Sequence, residues 1–293
     1  EGSTLDNADN LSREFLDDLL SLPESVKKQF VYGIWDTDLL ADKIVFAREY
    51  VAKLVLGTEQ PAFEREGLRV YRGFQEGHRY QMGIDAAEGG ASMNPEEEKG
   101  DEAAITIADL TTLEEVASWA GRVPPDVVAE YAIKFAGWYE DSRTKCLIVP
   151  EMNSIGLALV NRLAKEPDIR IYKREEYDKK SGRKLEKLGW RTTRTTKPLL
   201  VSRFQELLRV ADPKVHSQET AEQFKTFIWS DEARTQGMGA QTGFHDDRLI
   251  SLLLAFWEKK PVQAGKFTSS EGEISSWEKE SMFRIKDGKI MFR

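Results

Sequence analysis

The stretch Arg79-Tyr80-Gln81-Met82-Gly83-Ile84-Asp85 has the pattern of a mostly apolar β-strand that ends in a carboxylate. Residues 68–74 before it, and residues 103–110 and 114–121 after it, predict three more strands. From Pro124 onward strands alternate with helices, in the order helix 124–141, strand 145–150, helix 153–165 and short strand 169–172. Antiparallel strands followed by this alternation predict a mixed α/β layered fold.

The rest of the C-terminal half predicts smaller elements around two further helices. Residues 177–185 have the pattern of a hairpin around Ser181-Gly182, and a helix capped by Thr196 extends to Val210. Residues 220–229 fit a strand or a helix, and we favour the helix. A flexible glycine-rich loop is expected at 236–243, before a helix from Asp246 to Lys259 and a small hairpin at 283–292.

The N-terminal part of the chain differs in pattern from the remainder. Short helices are predicted at 11–22, 24–32 and 38–56, and residues 61–66 are expected to form a linker. We therefore expect a helical segment at 1–65, a main domain at 66–260 and a polar tail at 261–293. The opening Glu1-Gly2-Ser3-Thr4 resembles an arbitrary cut, which predicts that the sequence is part of a longer protein.

Size and composition restrict the classes of protein. A chain of 293 residues with 40% hydrophobic content can bury a core. No apolar run approaches the roughly 20 residues of a membrane span, so no membrane association is expected. The single cysteine, Cys146, lies in a predicted buried strand and has no partner for an internal disulfide, which predicts a reducing, cytosolic location.

Four carboxylates stand at places where helices and strands begin or end. Asp85 ends one predicted strand, Glu151 follows another, and Asp246 and Asp247 open a helix. Taken singly, each has an ordinary explanation as a turn former, a first solvated position or a helix cap. Capping explains one of the two adjacent aspartates and not both. The pair also flanks the apolar line along which the helix is expected to pack on the sheet.

Brought together, these four acids would suit divalent cations. Clustered carboxylates repel one another and raise each other's pKa, and a cation removes that conflict. Hard oxygen ligands favour Mg2+ or Mn2+. Two such ions, about 3.5–4 Å apart, can activate water and stabilise the scissile phosphate of a phosphodiester. The acids therefore predict hydrolysis of DNA, provided that they converge.

The charge of the chain is unevenly distributed. The net charge of -8 argues against a protein that simply coats nucleic acid, but residues 170–203 contain twelve lysines and arginines against four acids. Within this basic segment, Arg191, Arg194 and Lys197 are predicted to contact DNA phosphates beside the helix start at Thr196. The alternative is a solvated hairpin whose charges interact with acidic N-terminal helices.

Five strings in this order resemble the nuclease domain of the large terminase subunit of tailed double-stranded DNA bacteriophages. They are residues 83–90 (GIDAAEGG), 100–105 (GDEAAI), 149–153 (VPEMN), 191–200 (RTTRTTKPLL) and 245–247 (HDD). The resemblance covers roughly residues 68–260. It implies an RNase H-like α/β fold, a mixed sheet flanked by helices with a small helical N-terminal segment, and two Mg2+ or Mn2+ ions as cofactors.

The resemblance also implies residue roles. Asp85, Glu151 and an aspartate of the Asp246-Asp247 pair would be the catalytic metal ligands, with Asp85 bridging the ions. Either member of the pair can bind metal in this family, so both are retained. Glu88, Asp101 and His245 are weaker candidates. By the same resemblance, the hairpin region at 173–190 would gate access to the site.

The resemblance extends in a weaker form to residues 1–60, which look like the end of the terminase ATPase. No Gly-x-x-x-x-Gly-Lys-Ser/Thr string occurs in the chain, so no ATPase site of that kind is expected. The implied partners are double-stranded DNA, the terminase small subunit, the portal and the ATPase domain of the same protein. The implied location is the cytoplasm of the infected bacterial host, and the mature virion is not expected to contain the protein.

Three functional hypotheses follow. The first is a metal-dependent endonuclease that cuts concatemeric viral DNA during genome packaging. The second is another RNase H-like enzyme, a junction resolvase or a recombinase, which would prefer branched or end-specific substrates. The third is a non-catalytic module of a packaging motor that clamps DNA with its basic segment.

Overall fold

The computed structural model describes residue 13, residues 43–86, 102–153, 156–177, 183–229 and 237–258, and the strands at 283–286 and 289–292. Contacts divide the chain into Glu1–Val45 and Phe46–Arg293. Within the first unit the structure describes only residue 13 and residues 43–45, so the helices predicted at 11–22 and 24–32 lie almost wholly outside the described residues. The division at residue 65 remains a proposal.

A seven-stranded mixed sheet forms the centre of the second unit. Its strands are β1 (Phe63–Arg65), β2 (Leu68–Val70), β3 (Tyr80–Asp85), β4 (Ala103–Asp109), β5 (Glu114–Gly121), β6 (Leu147–Pro150) and β7 (Arg170–Ile171), in the order β1-β2-β5-β4-β3-β6-β7. The first five strands in this order pair antiparallel, whereas β6 and β7 join parallel to β3. The predicted mixed α/β layered fold, with antiparallel strands first and alternating strands and helices after them, is confirmed.

Six helices accompany the sheet in the described part of the chain. They are α1 (Arg48–Leu56), α2 (Pro125–Ala136), α3 (Gly156–Leu163), α4 (Thr196–Val210), α5 (Gln218–Thr226) and α6 (Asp247–Ala255). The described residues also form three two-stranded ribbons: β8 (Lys173–Tyr177) with β9 (Lys184–Leu188), β10 (Phe227–Trp229) with β11 (Met238–Ala240), and β12 (Phe283–Lys286) with β13 (Lys289–Phe292). None of the helices in the described ranges could cross a membrane.

Several local expectations were wrong. In the helix predicted at 38–56, α1 begins only at Arg48, and the described residues 43–47 lie outside it. The expected linker at 61–66 contains β1, which turns into β2 through Glu66 and Gly67, both with positive φ, as a tight hairpin turn requires. Residues 220–229 divide into the end of α5 and strand β10. The expected loop at 236–243 contains β11, because Met238 is buried and pairs opposite Trp229.

The two faces of the sheet carry different helices. Alternate residues of β3 and β4, including Met82 and Ile105, join the apolar core formed with α2 and α3. The residues between them face α6: Gln81 Nε2 donates to Leu254 O at 2.7 Å, and the hydroxyls of Thr106 and Ser251 lie 2.7 Å apart. The sheet is therefore a layer between helices.

Gly83 sets how closely α6 approaches the sheet. A Cβ at this position would lie 1.9 Å from Ser251 O and 2.5 Å from Ala255 N, so the helix backbone rests directly on β3. A glycine within a strand commonly marks such a close approach. Because Gly83 lies two residues before the end of β3, the contact also directs the beginning of α6 toward Asp85.

Candidate metal centre

Asp85 and Glu151 lie side by side at the same edge of the sheet. Strands β3 and β6 run parallel, with Ile84 opposite Pro150, and Glu151 N donates to Ile84 O at 2.8 Å. The carboxyl ends of neighbouring parallel strands meet at one edge, so two strand-ending acids become neighbours. Both are buried, with 8% of Asp85 and 7% of Glu151 exposed.

The other three predicted acids lie close enough to Asp85 to shift its pKa. Burial raises the pKa of Asp85 well above its ordinary value, and the charge of Glu151, a hydrogen bond with Glu151, and the charges of Asp247 and Asp246 raise it further, in that order. Acids separated by more than 150 positions in the sequence therefore act on one another at this edge. A positive charge placed among them would relieve this repulsion.

Asn153 fastens the loop that carries Glu151. Its Nδ2 donates to Ala86 O at 3.2 Å, next to Asp85, while its Oδ1 accepts from Gly156 N at 2.6 Å at the start of α3. A Cβ at Gly156 would lie 2.1 Å from Glu151 O, so α3 begins in direct contact with the same loop. These contacts hold the two strand ends in a defined relation.

The two aspartates of α6 have different partners. Asp246 occupies the N-cap position, but its carboxylate makes no capping hydrogen bond; Lys197 Nζ lies 3.0 Å from its Oδ2. Asp247 accepts from Glu102 N at 3.3 Å, and Glu102 in turn accepts from Arg248 Nη2 at 3.2 Å. The start of β4 thus holds Asp247, whereas α4 holds Asp246.

The predicted DNA contacts occupy two environments. Arg191 and Arg194 are exposed in the turn before α4. Lys197 is only 13% exposed and lies inside the acidic site. His245 is 48% exposed, with Nδ1 3.9 Å from Asp247 Oδ2. Glu88 and Asp101 lie outside the described residues.

Across the ranges that the structure describes, no group of three or more His, Cys, Asp or Glu side chains is arranged to hold a metal ion. The acids adjoin one another, but Asp246 turns to Lys197 and Asp247 to Glu102 N. Metal binding by Asp85, Glu151, Asp246 and Asp247 therefore remains a prediction about the same residues in a rearranged site.

Comparison with known proteins decides the fold. No protein-family model matches the chain. The crystal structure of the large terminase nuclease from thermophilic phage G20c with bound magnesium is similar to it, with a TM-score of 0.55 and 17% identity over 74% of this chain and 97% of that chain. The large terminase nuclease domain of Thermus phage P74-26 covers the same share of this chain and 99% of its own, with a TM-score of 0.50 and 17% identity.

The chain has the fold of a phage large terminase nuclease domain. The predicted RNase H-like α/β architecture is confirmed, with its mixed sheet between helices. A cobalt-bound crystal structure of the G20c nuclease gives the same TM-score of 0.55, at 16% identity. At these identities the likeness is one of fold.

Within this terminase nuclease fold, four residues support the site in ways that the sequence did not predict. Lys197 is predicted from the sequence to contact DNA phosphates, whereas in the structure its ammonium group lies against Asp246. The sequence predicts no role for Asn153 or Glu102. Gly83 carried a readable signal, since a lone glycine in an apolar strand indicates a close backbone approach. For Lys197 no local signal existed, because its partner lies 49 positions away.

Proposed function

We propose that this chain is a metal-dependent endonuclease that hydrolyses phosphodiester bonds of double-stranded DNA and cuts concatemeric viral DNA during genome packaging. The observation that carries the proposal is the burial of Asp85 beside Glu151, within electrostatic reach of Asp246 and Asp247. The terminase nuclease fold supports it, because that fold includes a nuclease with bound magnesium.

By their donor chemistry, the four predicted acids would suit a pair of Mg2+ or Mn2+ ions. Every side chain of the predicted set offers carboxylate oxygens, which are the ligands that these hard cations prefer. Burial and then the charges of the neighbouring acids raise the pKa of Asp85, and the ammonium group of Lys197 already stands as a cation against Asp246. When bound, two ions would supply a nucleophilic water at neutral pH and stabilise charge on the scissile phosphate.

In the proposed reaction, the protein side chains would hold the metal ions in position. Asp85 and Glu151 would hold the ions from the sheet edge, while Asp246 and Asp247 would do so from the start of α6. Burial of Asp85 and Glu151 lowers the local dielectric constant, which strengthens their attraction for a cation. Asn153 and Glu102 would maintain the relative positions of these ligands.

DNA would approach along the basic segment. Arg191 and Arg194 are exposed in the turn that leads into α4, where they would contact phosphates without reading bases. The β8–β9 ribbon follows β7 in the chain, and the ribbon carries further basic residues. Little sequence preference is therefore proposed, with binding that weakens steeply as salt rises.

The wider setting is also proposed. The partners would be the terminase small subunit, the portal and an ATPase domain of the same protein, in the cytoplasm of the infected bacterial host. Residues 1–65 would connect to that ATPase, residues 66–260 would be the nuclease, and residues 261–293 would form a tail. Co-purification of the chain with an ATPase fragment and with the portal tests these assignments directly.

The direct test is cleavage of plasmid DNA by the purified chain with Mn2+, with Mn2+ plus EDTA, and with Asp85→Asn. Nicked and linear products are expected only for the wild-type protein without EDTA. Asp168→Asn, at an exposed turn position, is the matched control and should cut like wild type. Undiminished cutting by Asp85→Asn would refute the assignment.

Substrate choice separates the remaining hypotheses. A terminase-like nuclease should cut plain duplex at least as readily as a four-way junction of the same sequence. Strong preference for the junction would favour a resolvase. Salt-sensitive DNA binding with no cleavage in Mg2+ or Mn2+ would favour a clamping module.

A further inference from the structure

Lys197 is held in a defined position at the start of α4. Its backbone N–H donates to Thr193 O at 3.0 Å, and the hydroxyl of the preceding Thr196 donates to Arg191 O at 2.6 Å. These two hydrogen bonds tie the first residues of the helix to the turn that precedes it. The side chain starts from a rigid backbone and is directed inward, with 13% of its surface exposed.

The ammonium group lies in a site formed by several elements. Nζ is 3.0 Å from Asp246 Oδ2 and 5.3 Å from the centre of the Phe227 ring, which is fully buried. The backbone of Gly239 in β11 passes beside the pair, since a Cβ there would lie 3.7 Å from Nζ and 3.8 Å from Oδ2. A cation against a carboxylate and an aromatic face, largely shielded from water, interacts more strongly than one on the surface.

This arrangement places the positive charge of a protein side chain against a predicted metal ligand. The charge of Asp246 acts on Asp85, so the ammonium group beside Asp246 offsets part of the repulsion within the acidic site. A divalent ion that used Asp246 would have to displace this contact, because Oδ2 already accepts from Nζ.

We propose that Lys197 is a built-in counter-cation that holds Asp246 when no metal is bound and competes with the divalent ion for that carboxylate. The inference rests on the proposed metal site and adds its regulation. Lys197 keeps the acidic site stable without metal and lowers its affinity for metal. It acts through Asp246, so it is a positioning residue.

Calorimetric titration of Mn2+ into the whole chain tests this in the absence of DNA. Lys197→Met should bind Mn2+ on the order of tenfold more tightly than wild type, the scale expected for removing a partly buried ion-pair competitor. Its metal-free melting temperature should fall, and saturating Mn2+ should raise that temperature by more than it does for wild type. A merely structural defect would weaken metal binding.

Lys225→Met is the matched control, because Lys225 pairs with Glu222 on the exposed side of α5. It should bind Mn2+ like wild type. Lys197→Arg should also do so, since the charge is kept. Lys197→Gln, which can still donate to Asp246 but carries no charge, should show the tighter binding even if Lys197→Met does not fold without metal.

The inference is overturned if Lys197→Gln binds Mn2+ as wild type does or more weakly, or if no variant binds Mn2+. Its failure can be told from failure of the proposed function. If wild type cuts DNA and Lys197→Gln keeps the wild-type affinity for Mn2+, only the counter-cation proposal is refuted. If Lys197→Gln binds Mn2+ more tightly but the wild-type chain cuts no DNA, only the proposed nuclease function is refuted.

Discussion

The hydroxyl groups of Thr106 and Ser251 lie 2.7 Å apart in the buried layer between β4 and α6. Ser251 also donates to Arg248 O at 3.0 Å, so one hydroxyl connects the sheet to the first turn of the helix that carries Asp246 and Asp247. This polar contact, together with the close packing at Gly83, fixes where those aspartates lie relative to Asp85.

Ser251→Ala should destabilise the protein by about 1–3 kcal/mol, because the buried hydroxyl of Thr106 then has no partner. Thr106→Val should cost less, since Ser251 keeps its bond to Arg248 O. Urea unfolding of both variants and the double variant measures the coupling. Equal costs that simply add would contradict a shared hydrogen bond.

Asp85→Asn should raise the stability of the metal-free protein by about 1–2 kcal/mol at pH 7, because it removes a buried charge from among other acids. Since the folded-state pKa of Asp85 is raised, its ionisation costs stability above the unfolded-state pKa. The gain should therefore shrink as pH falls and vanish below about pH 4.

Thermal unfolding in EDTA across this pH range measures the effect of Asp85→Asn. Asp168→Asn serves as the exposed control and should leave the melting temperature nearly unchanged. A stability loss in Asp85→Asn at neutral pH would show that the carboxylate is stabilised in the fold and not strained by its neighbours.

We expect a second pH dependence of stability from Glu115, which lies at the opposite end of β5 from Gly121. It is fully buried, and burial raises its pKa from 4.5 to about 7, although its Oε2 accepts from His216 N and Ser217 N at 2.8 Å each. The folded state therefore binds a proton more tightly than the unfolded state, and stability should fall as pH rises from about 4.5 to 7.

The size of this loss is about 3 kcal/mol, from roughly 1.4 kcal/mol for each pH unit. Glu115→Gln has no charge to bury and should show a smaller decline over the same range. Denaturant unfolding of both proteins at pH 4.5, 5.5 and 7 gives the comparison. Parallel curves would mean that Glu115 ionises in the fold without penalty.

Asn153→Ala should lower cleavage about 10- to 100-fold while the sheet stays intact, the range seen when a group that orients a metal ligand is removed. It loses the contacts to Ala86 O and Gly156 N that hold the Glu151 loop beside Asp85. Cleavage rate and Mn2+ affinity should fall together. Wild-type values for both would show that the backbone alone holds the loop.

Much of the site could be read from local pattern. Asp85 and Glu151 ended apolar runs, and Asp246 and Asp247 opened an amphipathic helix, because strand ends and helix starts leave a clear mark on residue order. The helix ends at Val210 and the strand covers Glu114–Gly121 as predicted, whereas Thr196, which was expected to cap the helix, is its first residue and follows the N-cap Thr195. The short strand β11 was not predicted, because its pairing with β10 depends on the partner segment and not on its own three residues.

The amino-acid order by itself placed Asp85 and Glu151 at the ends of apolar strands and Asp246 and Asp247 at the start of a helix, because local residue patterns mark such ends. Only the tertiary structure decided what each acid touches. Lys197 follows a phosphate-binding pattern in the sequence, yet packing of α4 against β10 and α6 turns it onto Asp246. Such a contact joins residues that are distant along the chain, and its energy depends on burial, which residue order does not specify.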